Sequence, residues 1–278
     1  MNDILFIADF FSDQVAGGGE LNNQVLIEDL IHDGYKVCCK KSHEVKACDI
    51  LNSSNVIVAN FVNLNPQLRT LLRAKPYVIY EHDHKYLASR NPAFYKNYKA
   101  PKEKIINRDF YKQARAVLCQ TQFHANIATS NLGLFNIKSL GGNLWSDSQF
   151  SLLEGACSVD KKKAHAIMDS SNWHKGTQEA LMYCQTLAIE HVLIKPQEPA
   201  AFLEDLGQYS TLVFFPKTPE TLSRIVVEAR MMGMATKTTK NIGAIHEPWF
   251  HKKGLDLIEF MRYKREEIKN IILDILNG

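Results

Sequence analysis

Phe214-Phe215-Pro216-Lys217-Thr218-Pro219-Glu220-Thr221-Leu222-Ser223-Arg224-Ile225-Val226-Val227-Glu228-Ala229-Arg230-Met231-Met232-Gly233 is the stretch on which the reading of the chain turns. Leu212–Phe215 is a short apolar run of strand type, and Pro219–Met232 has the apolar spacing of a helix. Glu220 falls at the strand-to-helix corner, and Glu228 follows eight residues later, inside the helix. Ile225, Val226 and Val227 precede Glu228, so it does not read as a freely solvated charge. A carboxylate at such a corner accepts hydrogen bonds from hydroxyls, while free N–H groups at the helix start meet an anion. A sugar or ribose diol is a natural partner for it. The plain alternative is an amphipathic helix with two solvated glutamates.

Outward from this stretch, short β-branched or aromatic runs alternate with helical patterns. Ile4–Ala8, Tyr35–Lys40, Val56–Ala59, Tyr77–Tyr80 and Ala116–Cys119 read as buried strands, and Leu21–Asp33 as the first helix. The pattern weakens around Asp147–Asp160 and then resumes. Strands follow at His165–Met168, Val192–Lys195, Leu212–Phe215 and Ala235–Thr239, with helices at His174–Leu187, Ala200–Leu206 and Pro219–Met232. A β-α-β-α rhythm implies an α/β protein with parallel sheets covered by helices on both faces. Two doubly wound halves joined near residue 150 are expected, with ligands outside the carboxyl ends of the strands. The cleft between two such halves is then the default site. Leu257–Leu276 reads as an amphipathic terminal helix, better suited to a protein groove than to a membrane.

The length of 278 residues fits one large or two small domains. With 45% hydrophobic and 23% charged residues the composition is that of a globular protein. No apolar run reaches the ~18–20 residues of a membrane-spanning helix. Met1-Asn2-Asp3-Ile4 lacks the basic and then apolar pattern of a signal peptide, so a cytoplasmic location is expected. The six cysteines form no Cys-x-x-Cys pair and read as free thiols, most of them buried.

Three further features carry chemistry. Ala16-Gly17-Gly18-Gly19-Glu20 lies between the first strand and the first helix, where glycines let backbone approach a ligand and the helix start favours an anion. It is neither a dinucleotide fingerprint nor a Walker loop, and a flexible turn is the alternative. Tyr80-Glu81-His82-Asp83-His84-Lys85 follows a strand, at a position that faces a ligand in such folds. His82 is the candidate for chemistry, with Asp83 as an alternative polar group. A His-x-His pair also suits a metal, but no third ligand accompanies it, so no metal site is expected. Finally, Lys85 to Arg115 holds nine basic residues and two acids, a local +7 inside a chain of net +3. Tyr86, Phe94, Tyr95, Tyr98, Phe110 and Tyr111 interleave with these cations. Basic and aromatic residues together suit a phosphate backbone with exposed bases, and equally an anionic lipid surface. A solvated helix face over core aromatics is the bland alternative.

The Glu-x7-Glu-Ala-x-x-x-Gly run after Phe-Phe-Pro resembles the donor-binding signature of retaining GT-B glycosyltransferases, the large family of sucrose synthase and bacterial mannosyltransferases. Gly17-Gly18-Gly19-Glu20 is similar to that family's N-terminal glycine loop. Ala114–Phe123 is similar to its late N-domain strand, and Trp173-His174-Lys175-Gly176 falls where it has a Lys-Gly. The resemblance implies a GT-B fold, two Rossmann-like domains facing a cleft. It divides the chain into an acceptor-side domain over 1–150, a nucleotide-sugar domain over 151–256, and a helix over 257–278 packing back on the first.

It also implies roles. Glu228 would bind the nucleotide ribose, and Glu220 the donor sugar. Backbone groups of Thr221, Leu222, Ser223 and Arg224 would lie near sugar and phosphate, and Gly17, Gly18 and Gly19 would approach the donor phosphate. Lys175 would neutralise the diphosphate leaving group, which makes it catalytic because that charge develops in the transition state. His82 joins Lys175 and Glu220 as a catalytic candidate; Asp83, His84, Lys85 and Arg90 are candidates for the acceptor side. The implied donor is a UDP-sugar, with a GDP-sugar second, and no cofactor or metal is required.

Two positions depart from the family pattern. Ser170 stands where the family often has an Arg, for which Arg224 is a nearby substitute. Leu222-Ser223 replaces the usual Phe-Gly. Compact enzymes of this kind resemble bacteriophage glycosyltransferases that modify hydroxymethylated DNA bases, which makes DNA the acceptor hypothesis. A glycan or lipid acceptor, or a non-catalytic sugar- or nucleic-acid-binding relative, is the alternative.

Overall fold

Adjacent parallel strands need a crossover connection, and here each crossover carries a helix. The computed structural model describes residues 3–278. Met1 and Asn2, which open the stretch read as lacking a signal peptide, lie outside that range. The described residues form two compact units, one running up to Leu144 and taking in Arg265–Gly278, the other Trp145–Lys264.

The first unit runs β1 (Asp3–Ala8), α1 (Gly18–His32), β2 (Lys36–Lys41), α2 (Ala47–Asn52), β3 (Asn55–Val58), α3 (Pro66–Leu72) and β4 (Tyr77–Glu81). It continues with α4 (Arg108–Gln113), β5 (Ala116–Cys119), α5 (Gln122–Leu132) and β6 (Ile137–Ser139). All neighbours pair in parallel, in the order β2-β1-β3-β4-β5-β6. Successive residues of a strand point to opposite faces, and both faces of the inner strands β1, β3, β4 and β5 are covered, so these strands read as continuous apolar runs. Leu5, Ile7, Val56, Val58 and Ile79 fill the core on one face; Ile4, Phe6, Ile57, Val78 and Tyr80 fill the other.

The second unit runs α6 (Asp147–Cys157), β7 (Lys162–Met168), α7 (Thr177–Thr186), β8 (His191–Ile194), α8 (Pro199–Leu206), β9 (Tyr209–Phe214), α9 (Arg224–Met231) and β10 (Ala235–Thr238). Its sheet is also parallel, in the order β10-β9-β7-β8. Both sheets share one plan. The order in which the strands are added reverses between β1 and β3 in the first and between β7 and β9 in the second, and the carboxyl ends at such a switch point form the ligand crevice.

Several sequence expectations are corrected. The stretch that reads as patternless holds α6. Its start is a capping box in which Gln149 N donates to Ser146 Oγ at 3.2 Å and Ser146 N donates to Gln149 Oε1 at 2.9 Å. Helix α9 does not begin at Pro219: Ser223 sits at φ +74°, which ends any helical path from upstream. Residues before it are instead tied to the loop after β10, with Glu220 N donating to Asn241 O at 2.7 Å and Gly243 N donating to Glu220 O at 2.9 Å. The helix expected from His174 divides into a short turn, Trp173–Lys175, and α7. Cys38, Cys39 and Cys48 are exposed rather than buried, the first two because β2 is an edge strand.

The last helix, α10 (Leu255–Asn277), serves both units. Leu257, Ile258 and Met261 join the second core, whereas Ile268, Ile272 and Leu276 join the first. Arg265 clamps Asp29 of α1: its Nε and Nη2 donate to the two carboxylate oxygens at 2.9 and 2.5 Å. Arg115 Nη1 donates to the Ile275 and Leu276 carbonyls at 3.1 and 2.6 Å, which serves the helix C-terminus. No helix of the described residues is long and apolar enough to cross a membrane. Ile272 is fully buried. Ile272→Ala is expected to destabilise the first unit by about 2–5 kcal/mol in urea unfolding; an unchanged midpoint would contradict the packing described for α10.

Candidate functional site

The switch point of the second unit gathers the loops after β7 and β9. Gly176 sits at φ +70°, and a Cβ built there would collide with the Phe215 carbonyl. Only glycine therefore allows the turn before α7 to lie against the end of β9. The contact is closed by Lys217 N, which donates to His174 O at 2.9 Å. This approach places Lys175 Nζ 2.9 Å from Glu220 Oε1. Two residues 45 positions apart in sequence thus form one ion pair, half-buried, with polar ends at the carboxyl edge of the sheet. Lys217, not singled out from sequence, adds a cation beside them, 2.6 Å from Glu179 and 5.3 Å from the Trp173 ring centroid. Ser170 offers no charge here; its N–H donates to Thr177 Oγ1 at 3.2 Å.

Glu228, 8% exposed, accepts from Trp145 Nε1 and from Arg224 Nε, each at 2.9 Å and each on Oε1. Arg224 also donates to Gln149 Oε1 at 3.0 Å and lies 4.6 Å from the Trp145 ring centroid. The carboxylate is therefore oriented by a cation and an indole rather than solvated. Trp145 and Gln149 are missing from the sequence reading; the Ser146-x-x-Gln149 capping box is the signal that would have placed them at a helix start. Leu222 is buried in the apolar core, so only its backbone is left for a ligand. Ser223 Oγ is buried and makes no hydrogen bond. Thr221 is half-buried.

In the first unit the glycine loop and His82 come together. A Cβ on Gly19 would lie 3.4 Å from His82 Cγ, so the bare backbone rests on the imidazole; Gly17 and Gly18 precede it at the start of α1. Gln120 Nε2 donates to His82 Nδ1 at 3.0 Å, which puts the ring proton on Nε2, facing Asn23 Oδ1 at 2.7 Å. Burial, reinforced by Lys85, lowers the His82 pKa to about 3. Neighbouring Glu20 is raised by its own burial.

Behind His82 lies a closed ionic network. Glu81 is fully buried; Lys85 Nζ donates to its Oε1 at 2.5 Å and the Tyr111 hydroxyl donates to its Oε2. Lys85 also reaches Asp83 Oδ1 at 3.1 Å, and Arg90 pairs with the other Asp83 oxygen. Burial pushes Glu81 upward. Asp83 is pushed up by burial too, but Lys85 and Arg90 outweigh it and hold the carboxyl below its usual range. Lys85, 2% exposed, and His84, 3% exposed, point into the protein, where His84 Nδ1 bonds the Tyr86 hydroxyl at 2.8 Å. Lys85 and His84, expected on the acceptor side, are both buried: the Lys85 ammonium is spent on Glu81 and Asp83, and His84 Nδ1 on the Tyr86 hydroxyl. Arg90 remains exposed. Glu81, Asn23, Gln120 and Tyr111 were not foreseen as parts of this cluster. Among the described residues no group of three or more His, Cys, Asp or Glu is placed to hold a metal ion.

No family model and no curated protein matches the sequence. Solved structures do match in fold. The α,α-trehalose-phosphate synthase (UDP-forming) of Burkholderia vietnamiensis aligns over 100% of this chain and 96% of its own, with TM-score 0.58 and 10% identity. Anabaena HepE, solved with UDP and glucose, aligns over 96% and 92%, with TM-score 0.55 and 13% identity. An α-glucosyltransferase solved with UDP and a 13-mer DNA containing an HMU base aligns over 99% of both chains, with TM-score 0.54 and 8% identity. The chain has the GT-B fold.

The state of His82 gives a pH test. Its pKa in the folded protein lies below the ordinary 6.5, so the unfolded chain binds the extra proton between those values. The stability it contributes is present above that ordinary value and is lost as pH falls toward the folded pKa. Ring NMR shifts of His82 should show a neutral Nε2–H tautomer that does not titrate from pH 8 down to about 5; a midpoint near the ordinary value would contradict the assigned environment.

Proposed function

We propose that the chain is a retaining glycosyltransferase that moves a sugar from a UDP-sugar to a hydroxyl of an anionic acceptor. The observation that carries this reading is the Lys175–Glu220 ion pair at the β7/β9 switch point, with the oriented Glu228 on the helix that follows. Solved proteins of the same fold with UDP bound support the choice of nucleotide.

The geometry suits the chemistry step by step. Glu228 takes the ribose diol through its Oε2, because Oε1 already holds Trp145 and Arg224. Glu220 accepts hydrogen bonds from the donor sugar, which frees the Lys175 ammonium to turn toward the diphosphate. The anomeric C–O bond to the β-phosphate breaks and its electron pair stays on the phosphate oxygen. The fixed cation meets that growing charge and lowers the barrier. The acceptor oxygen bonds to the anomeric carbon on the face the phosphate leaves, and its proton passes to the phosphate oxygen. No protein base enters. His82, neutral and held at both nitrogens, serves as a polar support under the Gly17–Gly19 loop rather than as an acid or base.

For the acceptor we propose a hydroxymethylated base in DNA. Exposed Lys96, Lys99, Lys102 and Lys104 form the outer face of the basic stretch and suit a phosphate backbone. The α-glucosyltransferase with DNA in its structure supports that choice by analogy of fold. Ser170, in the position of a family arginine, favours a second reading as a non-catalytic binder.

Nucleotide release and sugar transfer decide between them. Incubation with UDP-, GDP- and ADP-sugars should give turnover with a UDP-sugar, and transfer to hydroxymethylcytosine DNA above plain DNA and glycans. Glu228→Ala should weaken UDP binding, and Lys175→Ala should lower turnover by about 10²-fold or more with UDP binding less affected. UDP binding without turnover on any donor would leave the binder reading standing instead, and unchanged kinetics in both variants would refute the residue roles.

A further inference from the structure

The first unit holds a groove of about 460 Å³ between α3 and the start of α4, lined by Pro66, Arg69, Thr70, Arg73, Asn107, Arg108, Asp109 and Phe110. Three guanidinium groups share this one hollow. Arg69 and Arg73 are four residues apart on α3 and its C-terminal cap, the spacing at which side chains are neighbours and like charges repel. Arg108 comes from a different element, so the tertiary fold brings a third cation to the first two.

Among the described residues none of the three has an ion-pair partner, although Asp109 lies in the same lining. Lys85 and Arg265, by contrast, are held at close range by Glu81 and Asp29. Arg69 is the most constrained of the three. Its Nη1 donates to Asn107 Oδ1 at 2.8 Å, but its Nε is buried and makes no hydrogen bond. Burial lowers its pKa below the ordinary arginine value. Arg108 spends its Nε on the Leu132 carbonyl at 2.8 Å, which leaves its terminal nitrogens to the groove. Gathering unpaired cations costs free energy unless an anion sits among them, and planar guanidinium forks match the oxygens of a phosphate.

We propose that this groove is a phosphate-binding site, separate from the nucleotide-sugar site of the second unit. Its ligand is a phosphate group, either a phosphodiester of a nucleic-acid strand or a free phosphate anion. The phosphodiester would follow the basic stretch that begins at Lys85, since Asn107, which orients Arg69, also donates through Nδ2 to the Lys85 carbonyl at 3.1 Å. The site does not depend on the donor reading, because no residue of the second unit takes part.

Two assays on the full chain test it. Fluorescence anisotropy with a short labelled single strand of unmodified DNA is followed over a salt series, and thermal unfolding is followed with inorganic pyrophosphate. The double variant Arg73→Ala/Arg108→Ala removes the two exposed cations and leaves Arg69 packed; Arg73→Glu is the second variant. UDP affinity, measured alongside, reports on folding and on the other site. The proposal expects the double variant to bind the strand about tenfold more weakly, with the salt dependence reduced by about two counterions. Pyrophosphate stabilisation of the wild type alone, without strand binding, assigns the site to a free phosphate. Equal behaviour of wild type and variants in both assays, with UDP affinity intact, overturns it.

Discussion

The absence of a side chain at Gly176 is the constraint on which the candidate site depends. A left-handed residue packed against the Phe215 carbonyl brings the turn after β7 onto the end of β9. Without that approach the Lys175 ammonium would not reach Glu220. The position is set by topology as well: in a doubly wound sheet the strands on either side of the reversal send their loops apart, and the space they leave is where ligands enter. Here that space holds the half-buried Lys175–Glu220 ion pair. Glu220 is fixed from the other side by backbone bonds to Asn241 and Gly243, so its carboxylate is presented from an extended segment rather than from a fraying helix end.

The first unit shows the opposite use of charge. Glu81, Asp83, Lys85 and Arg90 close on each other at the end of β4, and the cost of burying Glu81 and Lys85 is offset by close pairing and the Tyr111 hydroxyl. This fixes the backbone that carries His82, while Asn23 and Gln120 fix its ring. The result is a rigid neutral surface under the glycine loop. The open cations of the unit lie elsewhere, on the exposed lysines after it and in the α3–α4 groove. Paired charges build the support, and the unpaired ones are those proposed to receive an anion.

The inner parallel strands β1, β3, β4 and β5 were legible because both faces of each are covered, so burial writes itself as unbroken apolar runs, whereas the short edge strand β6 carries no such run and was not foreseen. The glycine loop and the two glutamates stand out in the sequence for a different reason: each departs from what packing alone asks of its position, whereas Lys175 stands out only through its resemblance to a family Lys-Gly. The start of α9 was not. The apolar spacing of Ile225–Val227 extends the helix backwards on paper, whereas the left-handed Ser223 and the bonds to the loop after β10 are tertiary facts. Helix α6 was hidden because its buried side, Phe150 and Leu153, is narrow and its other residues are polar. The inward turn of Lys85 and His84 was invisible for a similar reason. A run of cations reads as a surface until the carboxylates that pair with them are located in space.

Amide hydrogen exchange with and without UDP tests the central claim most directly. The account predicts that UDP protects the loop after β7, around Lys175, and the segment from Glu220 to Glu228, with little change at the Glu81–Arg90 loop. Protection confined to the first unit, or no protection at the β7/β9 switch point under saturating UDP, would contradict it.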